Sequence, residues 1–188
     1  MRPIASSEIK HLADYEILRP EWRRKIMTLK DRRRIRVGGH MTFLFENRET
    51  VLYQIQEMMR VERLQTPQEI AHEVKTYNEL IPAAGELSAS LLIEYETQAE
   101  RDVWLPALTG LERHVWLETG GQRSAARFDD RQISPSRLSS VQYIKFPLTP
   151  EQVAAFSHEA TIVIDHPKYL AEFKLPPEQL QELASDLQ

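Results

Sequence analysis

Cysteine is absent from the 188 residues. That one absence excludes disulfides, thiolate zinc sites, iron–sulfur ligation and a cysteine nucleophile together. A metal bound here would need histidine and carboxylate ligands. Long apolar runs are absent too. No window approaches the roughly 20 residues of a membrane span, and Met1–Lys10 lacks the apolar stretch of a signal peptide. A cytoplasmic protein without a membrane partner is the expectation by exclusion. Glycine is scarce, six in all, and Gly38-Gly39, Gly85 and Gly120-Gly121 fall where turns are expected. GxSxG, Walker and GxGxxG patterns are missing, which disfavours nucleotide-dependent catalysis by a familiar motif.

The chain is long enough to bury roughly 70% of its unfolded surface, so it needs no staple to fold. Its net charge of −4 is unevenly spread. Between Arg19 and Arg36 nine basic residues face only Glu21 and Asp31, so the remainder is strongly acidic. Such asymmetry fits either a polyanion partner or a basic helix docked on the acidic rest of its own protein. The single aromatic in the stretch, Trp22, belongs to an apolar stripe with Ile26 and Leu29. Single-strand readers interleave exposed aromatics with charge. Phosphate contact with a duplex needs none, so nucleic acid stays a lesser alternative.

Arg19-Pro20-Glu21 reads as a helix start, and 19–33 as a basic helix appended to one domain spanning 1–188. A hairpin follows. A three-residue loop 38–40 pairs Val37 with Met41 and Ile35 with Phe43, which keeps arginines off the apolar face and places His40 in the loop. Asn47 caps a helix over 48–64, and Thr66-Pro67-Gln68-Glu69 opens another to about residue 81. The segment 86–95 alternates as a strand. A helix over 98–111 is bent or restarted at Pro106. Beyond residue 113 strands dominate: 114–118 and 122–128 as a hairpin, then 141–146, 161–165 and 169–173. A capping box at Thr149–Gln152 opens a short helix, and Pro176-Pro177-Glu178 begins the terminal one. The class is α+β, a helix-rich first half packed on a mainly antiparallel sheet from the second half, with 34–112 an α/β part and 113–188 a strand-rich part.

Glu62 is the position where chemistry is easiest to place. On the 48–64 helix it falls near the centre of the arc of Val51, Leu52, Ile55, Met58 and Met59. A carboxylate buried there must be paired, protonated or bound to a cation. It is a candidate metal ligand or general acid/base, unless an arginine pairs it or the helix ends and releases it to water. Glu73 and His72 on the next helix could complete a metal set. The zinc-protease pattern is incomplete, because Thr76 stands where the second histidine belongs. The apolar stripe Ile70, Val74, Tyr77 and Ile81 turns His72 to the wet side. No two of the six histidines have local ligand spacing. Asp165 could orient its neighbour His166. The strand–helix junction Glu46-Asn47-Arg48 offers an exposed polar binding patch, since helix starts carry free backbone donors.

The strings Phe45–Val51, Gln54–Met58, Tyr77–Pro82 and Gly85–Ala89 resemble the uncharacterised bacterial domain-of-unknown-function family numbered three thousand five hundred and one. Val141–Phe146 and Asp165–Tyr169 fit it as well, and the resemblance runs from about Tyr15 onward. It carries no activity and no catalytic residues. It implies genes encoded beside rubrerythrin-like di-iron proteins and iron–sulfur oxidoreductases. The function expected from this is a non-catalytic accessory or binding module of a redox or oxidative-stress system, with a redox protein as partner. Alternatives are a metal-dependent enzyme or metal-binding protein with a divalent ion on Glu and His ligands, or a nucleic-acid binder through Arg19–Arg36. A homo-oligomer is compatible with all of them.

Overall fold

The computed structural model describes residues 1–188. Six helices, α1 (Leu12–Arg32), α2 (Arg48–Glu62), α3 (Pro67–Asn78), α4 (Gln98–Ala107), α5 (Pro150–Phe156) and α6 (Pro177–Ala184), accompany nine strands. The strands are β1 (Arg34–Val37), β2 (Met41–Glu46), β3 (Glu86–Ile93), β4 (Val115–Thr119), β5 (Gln122–Ala125), β6 (Arg127–Phe128), β7 (Val141–Pro147), β8 (Thr161–His166) and β9 (Tyr169–Lys174). They form two antiparallel sheets, ordered β1-β2-β3-β7-β6 and β5-β4-β8-β9. The class is α+β, as expected. The helix-rich first half and the mainly antiparallel pairing hold, with the strands divided between two sheets and three of the five in the first sheet supplied by the hairpin and the 86–93 strand of the first half. No helix is long and apolar enough to cross a membrane.

The hairpin register follows the apolar pattern. Val37 pairs with Met41 and Ile35 with Phe43, leaving 38–40 as the loop. Gly38 sits at φ 68°, and a Cβ there would collide with the Tyr169 hydroxyl, so the position demands glycine on two counts. That hydroxyl donates to Val37 O at 2.8 Å and accepts from His40 N at 3.0 Å, joining β9 to β1. At the other corner the chain passes from β5 in one sheet to β6 in the other through buried Ala126. This sheet switch breaks the expected continuous strand over 122–128. Between the sheets lies the main core, with Phe43, Phe45 and Phe146 from one and Leu117, Ile162 and Ile164 from the other.

A second, smaller core holds the helices together: Ile4, Val51, Ile55, Met59, Val74 and Ile81. Asn47, Thr66, Thr97 and Thr149 each accept from backbone N–H groups in the first turn of their helices, as the capping pattern predicts. One helix start differs. α1 begins at Leu12, and Pro20 lies inside it on the exposed side. The proline forfeits one helical hydrogen bond. The turns before it are held by tertiary contacts: buried Tyr15 donates to Glu57 at 2.5 Å, and Arg19 clasps the same carboxylate at 2.7 and 2.9 Å.

The basic stretch docks on the acidic side chains of its own chain. Arg32 and Arg33 reach Glu182, and Arg33 also reaches Asp186. Arg33 has no exposed surface. It donates to Glu182 at 3.1 Å, to Asp186, and to the carbonyls of Phe45 at 2.9 Å and Glu46 at 3.2 Å.

Removing one member of a buried pair strands the other charge at a cost of about 3–5 kcal/mol. Arg33→Met is expected to lose that much in urea unfolding, and adding Asp186→Leu to recover most of it. A loss below about 1 kcal/mol would contradict this role for Arg33. Glu57 supplies a pH signature. Arg19, aided by Tyr15, holds its carboxyl at about 2 against an ordinary 4.5. Because the folded value is depressed, this stabilisation is complete above pH 4.5 and is lost as pH falls toward 2. Glu57→Gln should flatten the acid limb of the stability profile in that window.

Candidate functional site

The outward face of the five-stranded sheet is unusual in being polar yet covered. Alternation sends Thr42, Leu44 and Glu46 of β2, Ser88, Ser90 and Leu92 of β3, and Tyr143 and Lys145 of β7 to this side. Helices α2 and α3 lie over it, their inner stripe spent on the small core. What remains on their sheet-facing side is Met58 and Glu62 of α2 with Glu73, Thr76 and Tyr77 of α3. These residues and the β6–β7 edge enclose a cleft of about 730 Å³.

The apolar side chains on this face are Met58, Tyr77, Leu80 and Tyr143, whereas Phe128 and Ile144, paired across β6 and β7, turn to the opposite face and the main core. The strand wall is anchored by the turn after β6. Asp129 N donates to Tyr143 O at 3.1 Å, and Gln132 Oε1 accepts from Tyr143 N at 2.9 Å. Arg131 pairs with Asp129 and reaches Glu79 on the helix side, so a salt bridge spans one end of the cleft. Lys145 is paired with Glu86 at 2.8 Å. Glu62 and Glu73 on the helix wall and Arg127 on the strand wall form no ion pair. Burial holds the phenols of both tyrosines above their ordinary range, with Glu73 and Glu62 adding to the effect on Tyr77 and Glu46 to that on Tyr143. Both therefore stay neutral, able to donate and accept.

Behind this cleft lies a smaller cavity of about 160 Å³, bounded by Lys30, Leu44, Glu46, Gln54, Ser90 and Leu92 among others. Tyr77, Leu80 and Tyr143 line both spaces.

Residues 3–187 match the family described as Protein of unknown function (DUF3501). The chain belongs to this family. The DUF3501 architecture recurs in a solved structure described as a novel protein of unknown function from Burkholderia pseudomallei K96243. It is 28% identical, covers 100% of both chains and superposes with a TM-score of 0.93. No curated protein matches the chain.

Several residues singled out from the DUF3501 sequence stand elsewhere than expected. Glu62 is exposed, because α2 ends on it and Arg63 turns away at φ 56°. It lines the cleft together with Glu73, whereas His72 is exposed and takes no part in that wall. No three His, Asp or Glu side chains converge closely enough to hold a metal ion. The three residues expected as ligands are thus not assembled into one set.

The junction 46–48 is not an exposed patch. The Asn47 side chain is consumed as a cap, accepting from Glu49 N and Thr50 N at 3.0 Å each. Arg48 is tied to Glu8 and to Arg2 O. Glu46 is buried and points to the polar sheet face. Asp165 orients not its neighbour His166 but His114, at 3.0 Å, and it also accepts from Trp116 and Arg123. Adjacent strand residues point to opposite faces, so His166 turns inward and stacks edge-on against His114.

Arg127 and Tyr143 were not legible as site residues, since β6 is only two residues long. Because Asn47 serves the helix and not a ligand, Asn47→Ala should cost about 0.5–2 kcal/mol in thermal or urea unfolding and leave ligand binding in the cleft unchanged.

Proposed function

We propose that the protein is a non-catalytic binding module that takes a small organic ligand in the cleft between α2–α3 and β6–β7, as an accessory to a redox or oxidative-stress system. The observation that carries the binding half is the cleft: about 730 Å³, within the range of small-molecule sites, with an apolar floor and a few placed polar groups. Unpaired Glu62 and Glu73 face unpaired Arg127 across it. A ligand with an apolar body and polar ends satisfies all of these surfaces. The only hydroxyls on the cleft walls are those of Thr76, Ser88 and the two tyrosines, and no histidine lines it to act as their base. Binding without turnover is the reading this supports.

The redox half rests on the resemblance alone. A chain without cysteine holds no thiolate cluster, so the electron-carrying centre belongs to the partner. The test of the cleft is a protein-observed NMR screen with aromatic fragments bearing polar ends. Shifts should gather at Tyr77, Leu80 and Tyr143. Met58→Glu, which places a charge on the helix wall outside the small core, should weaken them about tenfold. Hits that map elsewhere, or that survive this change, would sink the assignment. The accessory role fails separately if the protein neither co-purifies with a rubrerythrin-like partner nor alters its turnover.

A further inference from the structure

The smaller cavity holds a buried carboxylate that no ion pair engages. Glu46 is 6% exposed, and its carboxylate forms no ion pair with any side chain of the protein. Its contacts are two neutral hydroxyls: Thr50 Oγ1 at 2.5 Å to Oε2 and Ser90 Oγ at 2.8 Å to Oε1. Even these are partly committed elsewhere. Thr50 has one hydroxyl hydrogen, and Asn47 O lies 3.1 Å from the same oxygen as a competing acceptor. A carboxylate offers about four lone-pair sites, and the protein's own side chains supply two donors to them. Arg33, the nearest buried cation along the chain, is directed to the Glu46 backbone carbonyl and to Asp186 instead.

A buried carboxylate with only hydroxyl partners is less well compensated than a paired one. Such a group is stabilised by whatever cation enters beside it. The cavity has room: about 160 Å³, roughly five times the share of liquid volume taken by one water. Its wall presents the rings of Tyr77 and Tyr143, surfaces that attract organic cations. Lys30 is the protein's own cation on this cavity, but its ammonium rests 5.8 Å over the Tyr53 ring and is not paired with Glu46.

We infer that Glu46, with Ser90, Thr50, Tyr77 and Tyr143, forms a subsite for an organic cation, a primary ammonium or guanidinium group at the end of the ligand that occupies the cleft. This rests on the cleft reading and deepens it. The two spaces share Tyr77, Leu80 and Tyr143 as their common wall. An apolar ligand body against Met58 in the cleft and its cationic end at Glu46 would both rest on these side chains.

Calorimetric titration of the full chain with 4-phenylbutylammonium and its uncharged counterpart 4-phenylbutan-1-ol tests the assignment. The ammonium compound is expected to bind about tenfold or more tighter, as for a buried charge-assisted hydrogen bond. Glu46→Gln, which keeps the shape, should abolish that advantage. Should that variant fold poorly, Leu92→Phe reduces the cavity without touching the carboxylate and should remove the same advantage. Equal affinities for the two compounds, or an advantage that survives both variants, overturns the subsite while leaving the cleft standing. If neither compound binds, the cleft reading and the subsite fall together. If the alcohol alone binds, and Met58→Glu weakens it, the cleft holds and the cation subsite is refuted.

Discussion

The Arg33 guanidinium is the contact on which the layers depend. It lies at the end of α1, where a helical chain turns into the first strand, and it is wholly buried. Its donors are divided between the end of β2 and the C-terminal segment, through Phe45 O, Glu46 O, Glu182 and Asp186. Three elements far apart in sequence are thus held by one rigid fork, a geometry that lysine could not reproduce. A fork also fixes direction. By holding the Phe45 and Glu46 carbonyls, it fixes the point at which β2 ends and α2 begins.

The site lies where α2, with a core of its own, passes over this sheet. Were α2 and α3 packed flush on the five-stranded sheet, its outer face would need to be apolar throughout. Instead Ser88, Ser90, Glu46, Tyr143 and Lys145 occupy it, and the apolar surface of α2 is spent on Ile4, Val74 and Ile81. The helices have their own core, so they stand over the sheet without closing on it. A domain with one core would have closed this space. The division into a 27-residue core between the sheets and a six-residue core among the helices leaves a cleft without leaving the protein underpacked.

Local signals were readable because local physics decides them. The hairpin register followed from refusing arginine an apolar face, and the capped helix starts at Asn47, Thr66 and Thr149 from side-chain oxygens placed before backbone donors. The signals that failed were those overruled at a distance. Pro20 marks a helix start in isolation, but Tyr15 and Arg19 gain more from Glu57 than the missing N–H costs. The strand over 122–128 reads as one because nothing in its composition announces the change of sheet at Ala126. Glu62 illustrates the same limit on the functional side. Its place on the apolar arc was correct as angle and wrong as depth, since the helix ends there.

The two carboxylates Glu46 and Glu62 show what periodicity can and cannot say about a charged site. Helical phase pointed to Glu62, which ends in water, where a carboxylate needs no partner. Strand alternation put Glu46 on a face that looks solvent-exposed, because it shares that face with threonine and serine. Only the tertiary fact that α2 folds back over β2 makes it the buried one. A charge is costly where the fold, not the pattern, removes its water. The residue whose charge the structure leaves without an ion pair is thus the one that sequence phase would assign to the surface, and its side-chain donors are two hydroxyls.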